Sequence, residues 1–293
     1  MIKIVENKKI MKPIITAQEL QNIISQNDLV LLDARTGKTA QEDYLQKHIS
    51  GARFVDLDKD LAKAVENAAF GGRHPLPDVD TFGKTLQNIG VSKTSHVVVY
   101  DTSNGANAAA RCWWMLKAFG LENVQVLSGG WQAAEKAGVD LKSGEEQFER
   151  TEISAPSDWQ SPTSSLEEVE RSIAEKMATV IDVRDAYRYR GESEPIDLVA
   201  GHIPGAINIP FSENLDENGE FLAPEILKEK YQNHLKTHPE KLIIHCGSGV
   251  TACHTILALD YAGFEIPHLY VGSWSEWSRR EGKEIAKEID RKS

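Results

Sequence analysis

An internal repeat limits the possible folds more than any other feature of this chain. Leu31-Leu32-Asp33-Ala34-Arg35 returns as Val180-Ile181-Asp182-Val183-Arg184, and His48-Ile49-Ser50-Gly51-Ala52 as His202-Ile203-Pro204-Gly205-Ala206. His96-Val97-Val98-Val99-Tyr100-Asp101 is matched by Lys241-Leu242-Ile243-Ile244-His245-Cys246, and Leu127-Ser128-Gly129-Gly130-Trp131 by Tyr270-Val271-Gly272-Ser273-Trp274. Ordered matches at nearly constant spacing mark a duplicated folding unit. The 293 residues suffice for two units, each with its own core. The first is expected over residues 13–140 and the second over 163–289, with the polar stretch from Leu141 to Pro162 as linker.

Within each unit, short β-branched runs alternate with helical patterns. This predicts an α/β fold in which a mostly parallel sheet carries helices on both faces. In the first unit, strands are expected at Val30–Leu32, Val97–Tyr100 and Val124–Leu127, with a helix from Ala108 to Phe119. The second repeats this at Thr179–Ile181, Leu242–Ile244 and His268–Val271, with a helix from Cys253 to Ala262. Thr16-Ala17-Gln18-Glu19 and Ser164-Ser165-Leu166-Glu167 read as helix starts, a hydroxyl cap ahead of an acid.

A net charge of −11 argues against non-specific binding to nucleic acid or to an anionic membrane, so an anionic ligand must be met by a local cationic site. No run of about 20 apolar residues predicts a membrane-spanning helix. Met1–Ile10 has neither the apolar core nor the cleavage site of a secretory signal, and it lacks the arginines of a mitochondrial presequence. Met11 is a candidate alternative start. Three cysteines, Cys112, Cys246 and Cys253, point to a reducing compartment, so a cytoplasmic location is expected. Their spacing offers no zinc site.

The two halves diverge at one position. Where the first unit has Asp101 after its central strand, the second has Cys246, followed by Gly247-Ser248-Gly249-Val250-Thr251-Ala252 and then a helical pattern. Such a turn can wrap successive backbone N–H groups around the sulfur and aim a helix N-terminus at it. Both effects favour the thiolate, a nucleophile. In open α/β sheets, ligands bind beyond the carboxyl ends of strands, where Cys246 falls. A Cys-x5-Arg phosphatase loop would need Arg where Ala252 stands, and this loop is a residue too short to surround a phosphate. Cys112 and Cys253 sit in helical patterns and read as packing residues.

The string from Cys246 to Ala252 resembles the active-site loop of the tandem-domain rhodanese-like sulfurtransferases, in particular their 3-mercaptopyruvate type. Tyr270-Val271-Gly272-Ser273-Trp274-Ser275-Glu276-Trp277 supports the same resemblance, and the repeat extends it over nearly the whole chain. The resemblance implies two tandem rhodanese-like domains, of which only the second is catalytic. It implies a Cys246 persulfide that carries sulfur from a small anionic donor to a thiol, cyanide or thioredoxin-like acceptor, with no metal or organic cofactor. Gly247, Gly249, Val250 and Thr251 are then expected to bind substrate around the sulfur.

The resemblance also implies that Arg188, in Arg188-Tyr189-Arg190-Gly191, faces the thiol and holds the donor anion, for which a planar guanidinium suits a carboxylate. It pairs Asp58 and His74 with Ser248 as a proton relay. One departure stands out: the mercaptopyruvate type has a second Arg just after Glu-Pro, and here that place is Ile196. The uncharged Gly247-Ser248 favours 3-mercaptopyruvate over thiosulfate, whose enzymes have Arg-Lys there. The missing Arg leaves a persulfide-carrier protein with little small-molecule turnover as an alternative. His48 and His202 recur in both halves, one of which lacks the thiol, so they read as structural. Trp113, Trp114, Trp131, Trp274 and Trp277 read as core or interface fillers.

Overall fold

Strands buried on both faces need apolar residues at every position, and the two central runs supply them. The computed structural model describes residues 11–235 and 241–288. The reading of Met1–Ile10 and the expected domain end at residue 289 lie outside the described residues. In the first half the elements are β1 (Ile14–Ile15), α1 (Ala17–Ile23), β2 (Leu29–Asp33), α2 (Ala40–Gln46), β3 (His48–Ile49), β4 (Arg53–Phe54), α3 (Val79–Asn88), β5 (His96–Tyr100), α4 (Ala108–Ala118), β6 (Val124–Leu127), α5 (Gly130–Ala137) and β7 (Leu141–Lys142). The second half has α6 (Leu166–Ala174), β8 (Ala178–Asp182), α7 (Ala186–Arg190), β9 (Ile207–Asn208), α8 (Pro224–Leu235), β10 (Lys241–His245), α9 (Ala252–Tyr261), β11 (His268–Leu269) and α10 (Ser273–Trp277), with a 3-10 turn at Phe211–Asn214.

The first sheet runs β1-β6-β5-β2-β4 and the second β11-β10-β8-β9, with every pairing parallel. The duplication holds in detail. Thr163 bridges Leu269 at the edge where β1 pairs with β6, and His202 bridges Ala286 antiparallel where β3 pairs with β7. In both halves an Asp-x-Arg pair ends the second-to-central strand: Asp33–Arg35 and Asp182–Arg184 each close at 2.6 Å. Each arginine then lies over the tryptophan of the last matched segment, Arg35 over Trp131 and Arg184 over Trp274. His48 and His202 stack on Tyr44 and Tyr189 and contact the same tyrosines' carbonyls through Nδ1, which gives both a structural part.

The helix starts are capping boxes. Thr16 and Glu19 satisfy each other's backbone N–H groups, and so do Ser165 and Glu168, one residue beyond the acid read from sequence. Two edges differ from expectation. Leu141 and Lys142 form β7 rather than linker, and the last strand stops at Leu269 instead of Val271. Elements of two residues carry no periodicity to read.

The halves meet along α4 and α9, and one apolar cluster runs through both, from Trp113 and Met115 to Ile256 and Leu257. Among the described residues no helix is long and apolar enough to cross a membrane. His254, on α9, is fully buried against Phe221 and Phe211. Burial holds its pKa down to about 3. The unfolded imidazole titrates near 6.5, so below that pH the unfolded chain binds the extra proton and stability falls. At pH 5 this one residue should cost about 2 kcal/mol relative to pH 8. Thermal melts at the two pH values should therefore diverge less in His254→Leu than in the wild type. An equal divergence would show that His254 carries none of the acid sensitivity.

Candidate active site

The crevice lies beyond the carboxyl end of β10, where Cys246 follows the last strand residue. Gly249 turns the chain at φ +74, and a Cβ there would meet the Val271 carbonyl at 2.5 Å, so only glycine lets the loop pack down on β11's extension. Its carbonyl accepts a 3.0 Å hydrogen bond from Arg111. The Ser273–Trp277 segment braces the loop from behind: Trp274 N–H donates to the Cys246 carbonyl and Ser275 N–H to the Gly247 carbonyl. Ser273 Oγ accepts from Cys246 N–H. Among the described residues, the N–H groups of Gly247, Ser248, Gly249, Val250 and Thr251 find no acceptor oxygen. Five free donors in sequence beside one sulfur form a nest for an anion.

The first half shows what such a loop does when its anion is built in. Asp101 sits at the matching position and accepts from the N–H groups of Ser103, Gly105, Asn107 and Ala109 at 2.8–3.1 Å. Burial pushes its carboxyl up, and the four donors oppose this.

A cavity of about 260 Å³ opens over the loop, lined by Leu57, Arg73, His74, Asn107, Arg188, Ile196, Cys246, Gly247, Ser248, Val250 and Thr251. Cys246 is only 1% exposed, yet it forms part of this wall. The structure brings Ser248, His74 and Asp58 into a chain. Ser248 Oγ is 2.8 Å from His74 Nδ1, and His74 Nε2 is 3.3 Å from Asp58 Oδ1. Asp58 itself lies outside the lining, 81% exposed. Burial, then the Arg73 charge, lower the His74 pKa against the opposing pull of Asp58. Gly249 also stays out of the wall, because it serves the turn.

Arg188 faces the cavity with its Nε and Nη2 committed to Glu194 at 2.7–3.1 Å. Burial resists ionisation of Glu194, but hydrogen bonds from Arg188 and from the amides of Asp197 and Ile196 outweigh it and hold the carboxyl below its ordinary range. Sequence reasoning missed Arg73, Asn107 and Leu57 in the wall, and Asp197 and Arg279 behind it. The one available signal was adjacency, since Arg73 directly precedes His74. Its loop reaches across the domain boundary: Arg73 N–H donates to Ser275 Oγ and Gly71 N–H to Glu276. Gly72 packs there at φ +79, where a Cβ would sit 2.4 Å from the Gly272 carbonyl. Among the described residues no cluster of His, Cys, Asp and Glu could hold a metal ion.

The rhodanese-like domain model matches residues 16–137 and 165–280. A Pseudomonas aeruginosa protein named a probable 3-mercaptopyruvate sulfurtransferase is 42% identical, over 90% of this chain and 94% of its own. A Mycobacterium tuberculosis relative that carries a thiosulfate sulfurtransferase name is 37% identical, over 90% and 93%. The crystal structure of SseA from Escherichia coli, described as having the rhodanese fold of 3-mercaptopyruvate sulfotransferases, superposes with a TM-score of 0.76 at 32% identity, covering 91% of this chain and all of that one. The chain belongs to the rhodanese-like domain family, as a tandem pair of such domains. It is a sulfurtransferase.

The three thiols are all free and buried, but their surroundings differ. Burial pushes Cys253 up to about 12 and raises Cys112 further, and neither lines the cavity. Iodoacetamide at neutral pH should therefore label the native protein once, at Cys246, and Cys246→Ser should take no label. Peptide mapping that found Cys112 or Cys253 modified at a similar rate would contradict this assignment.

Proposed function

We propose that the chain moves one sulfur atom from 3-mercaptopyruvate to a thiol, cyanide or reduced thioredoxin-like acceptor by way of a Cys246 persulfide. The observation that carries this reading is the convergence, in one small cavity, of Cys246, a run of free loop amides, the Arg188 guanidinium and the Ser248–His74 pair, which Asp58 contacts from outside the cavity. Arg188 holds the donor carboxylate. The Cys246 thiolate attacks the donor sulfur, a sulfur–sulfur bond forms, and the carbon–sulfur bond breaks with its electron pair left on carbon. The transferred sulfur is oxidised by two electrons and the carbon is reduced to the enolate of pyruvate. The donor's thiol proton passes through Ser248 to neutral His74 and returns to the enolate carbon. Asp58 stabilises the imidazolium in between. The persulfide anion rests on the loop amides until the acceptor's thiolate takes its outer sulfur and Cys246 is restored.

Thiosulfate is the second reading, favoured by Arg73, which adds a guanidinium to the cavity wall, and by the name of the M. tuberculosis relative. The same arginine weighs against the carrier reading, which rested on the missing cation at position 196.

Incubation with 3-mercaptopyruvate should release pyruvate and add one sulfur to Cys246 by intact mass, and Cys246→Ser should do neither. Turnover of thiosulfate but not of 3-mercaptopyruvate, measured side by side, would overturn the donor assignment. His74→Gln should slow the mercaptopyruvate half-reaction roughly 100-fold. Because the neutral imidazole is the working form and its pKa is lowered, the wild-type rate should fall with acid only below about pH 6.5, and His74→Gln should lack that limb.

A further inference from the structure

Two guanidinium groups meet over the catalytic loop, and they come from different domains. A Cβ placed on Gly247 would sit 3.2 Å from Arg73 Nη2 and 3.5 Å from Arg188 Nη2, with the Asp197 Oδ2 that both approach also at 3.5 Å. Gly247 directly follows the reactive cysteine, so both cations lie against the residue next to the sulfur. Both line the cavity. Ile196 lines it too, at the position after Glu194-Pro195, and its side chain brings no charge there.

Arg73 is held by a single carboxylate, and loosely. Its Nε lies 3.2 Å from Asp197 Oδ1 without hydrogen-bond geometry, and its Nη2 bond to Asp197 Oδ2 is long, 3.4 Å. Asp197 is itself shared. Arg73, Arg188 and Arg279 approach that single carboxylate at 3.2, 3.6 and 2.8 Å. Glu194 is divided between Arg188 and Arg184. Cations outnumber carboxylates in this cluster, and the wall facing the cavity keeps a positive excess although the chain carries −11 overall. A side chain at position 247 would press on the Arg73 guanidinium, 3.2 Å away, which gives the glycine a reason beyond loop geometry.

We propose that Arg73 and Arg188 form a split clamp for the donor's carboxylate, in which the non-catalytic domain supplies the second cation that position 196 lacks. The proposal rests on the α-keto-thiol donor reading above and deepens it. Arg73 is thereby a specificity-determining residue that touches substrate. The clamp closes only when the two domains are in place, so the donor's anionic end is bound across their junction while its sulfur faces Cys246.

The test compares the full-length wild type with Arg73→Met, Ile196→Arg and the double variant. Two quantities are read: KM and kcat for 3-mercaptopyruvate, and the ratio of Cys246 alkylation rates by iodoacetate and by neutral iodoacetamide. Arg73→Met should raise KM about tenfold or more with kcat within about threefold, and lower the iodoacetate-to-iodoacetamide ratio by about tenfold. Adding Ile196→Arg should recover most of both losses, since that side chain is 55% exposed and has room to lengthen. An unchanged KM and ratio in Arg73→Met would overturn the clamp. So would an equal loss with both alkylating agents that Ile196→Arg does not repair, because that pattern marks a structural role. If Arg73→Met is insoluble, Arg73→Gln, which keeps a donor toward Asp197, is read in the same way. A wild type inert toward 3-mercaptopyruvate, with the alkylation ratio still falling in Arg73→Met, would remove the donor reading and leave the clamp standing.

Discussion

Arg111 holds the site together. It is fully buried on α4 of the first domain, and among the described residues no carboxylate pairs with it. Its guanidinium instead donates to three carbonyls: Gly249 in the catalytic loop, and Leu61 and His74 in the first domain. A buried cation bound to carbonyls and not to a carboxylate is costly to desolvate, and burial does pull its pKa down. What that cost secures is register. The carbonyl of His74 and the carbonyl of the glycine after Ser248 are fixed to the same planar fork, so the imidazole and the hydroxyl it contacts cannot drift apart without breaking charge-assisted bonds. The same guanidinium lies close to both Cys246 and Cys253.

Duplication followed by one replacement accounts for the division of labour. Both domains end a buried central strand in a loop. In the first, the Asp101 carboxylate accepts from four of the loop's amides and the loop is a closed structural element. In the second, the side chain is a thiol, and among the described residues the N–H groups from Gly247 to Thr251 find no acceptor oxygen. The electrostatic demand is the same in both, and only its occupant has changed.

The repeat made the fold legible from sequence. Each strand of four or five residues was found because buried parallel strands are continuous apolar runs, and the capping boxes at Thr16 and Ser165 were found because their signal is local. Cys246, Ser248, Arg188, His74 and Asp58 were within reach because short motifs carry them. Arg73, Asp197 and Arg279 were not. Their relation to the sulfur is made by tertiary contact across a domain boundary, in particular by Ser275 and Glu276 gripping the Gly71–Arg73 backbone, and no spacing within either repeat encodes that.

That grip also explains why the argument about position 196 could not be closed from sequence. Reading the second domain alone, Ile196 looks like a lost cation and a weakened anion site. In the folded chain a guanidinium from the other domain lies against Gly247 near Arg188 and lines the same cavity. Asp197, one residue on, makes this arrangement stable: a fully buried carboxylate needs more than one donor to offset its desolvation, and it finds them in Arg73 of the first domain and Arg188 and Arg279 of the second. The carboxylate thus orders the cations while leaving them in excess. On the proposed clamp, an entering anion would meet guanidinium groups already oriented, and little further ordering would be needed for it to bind.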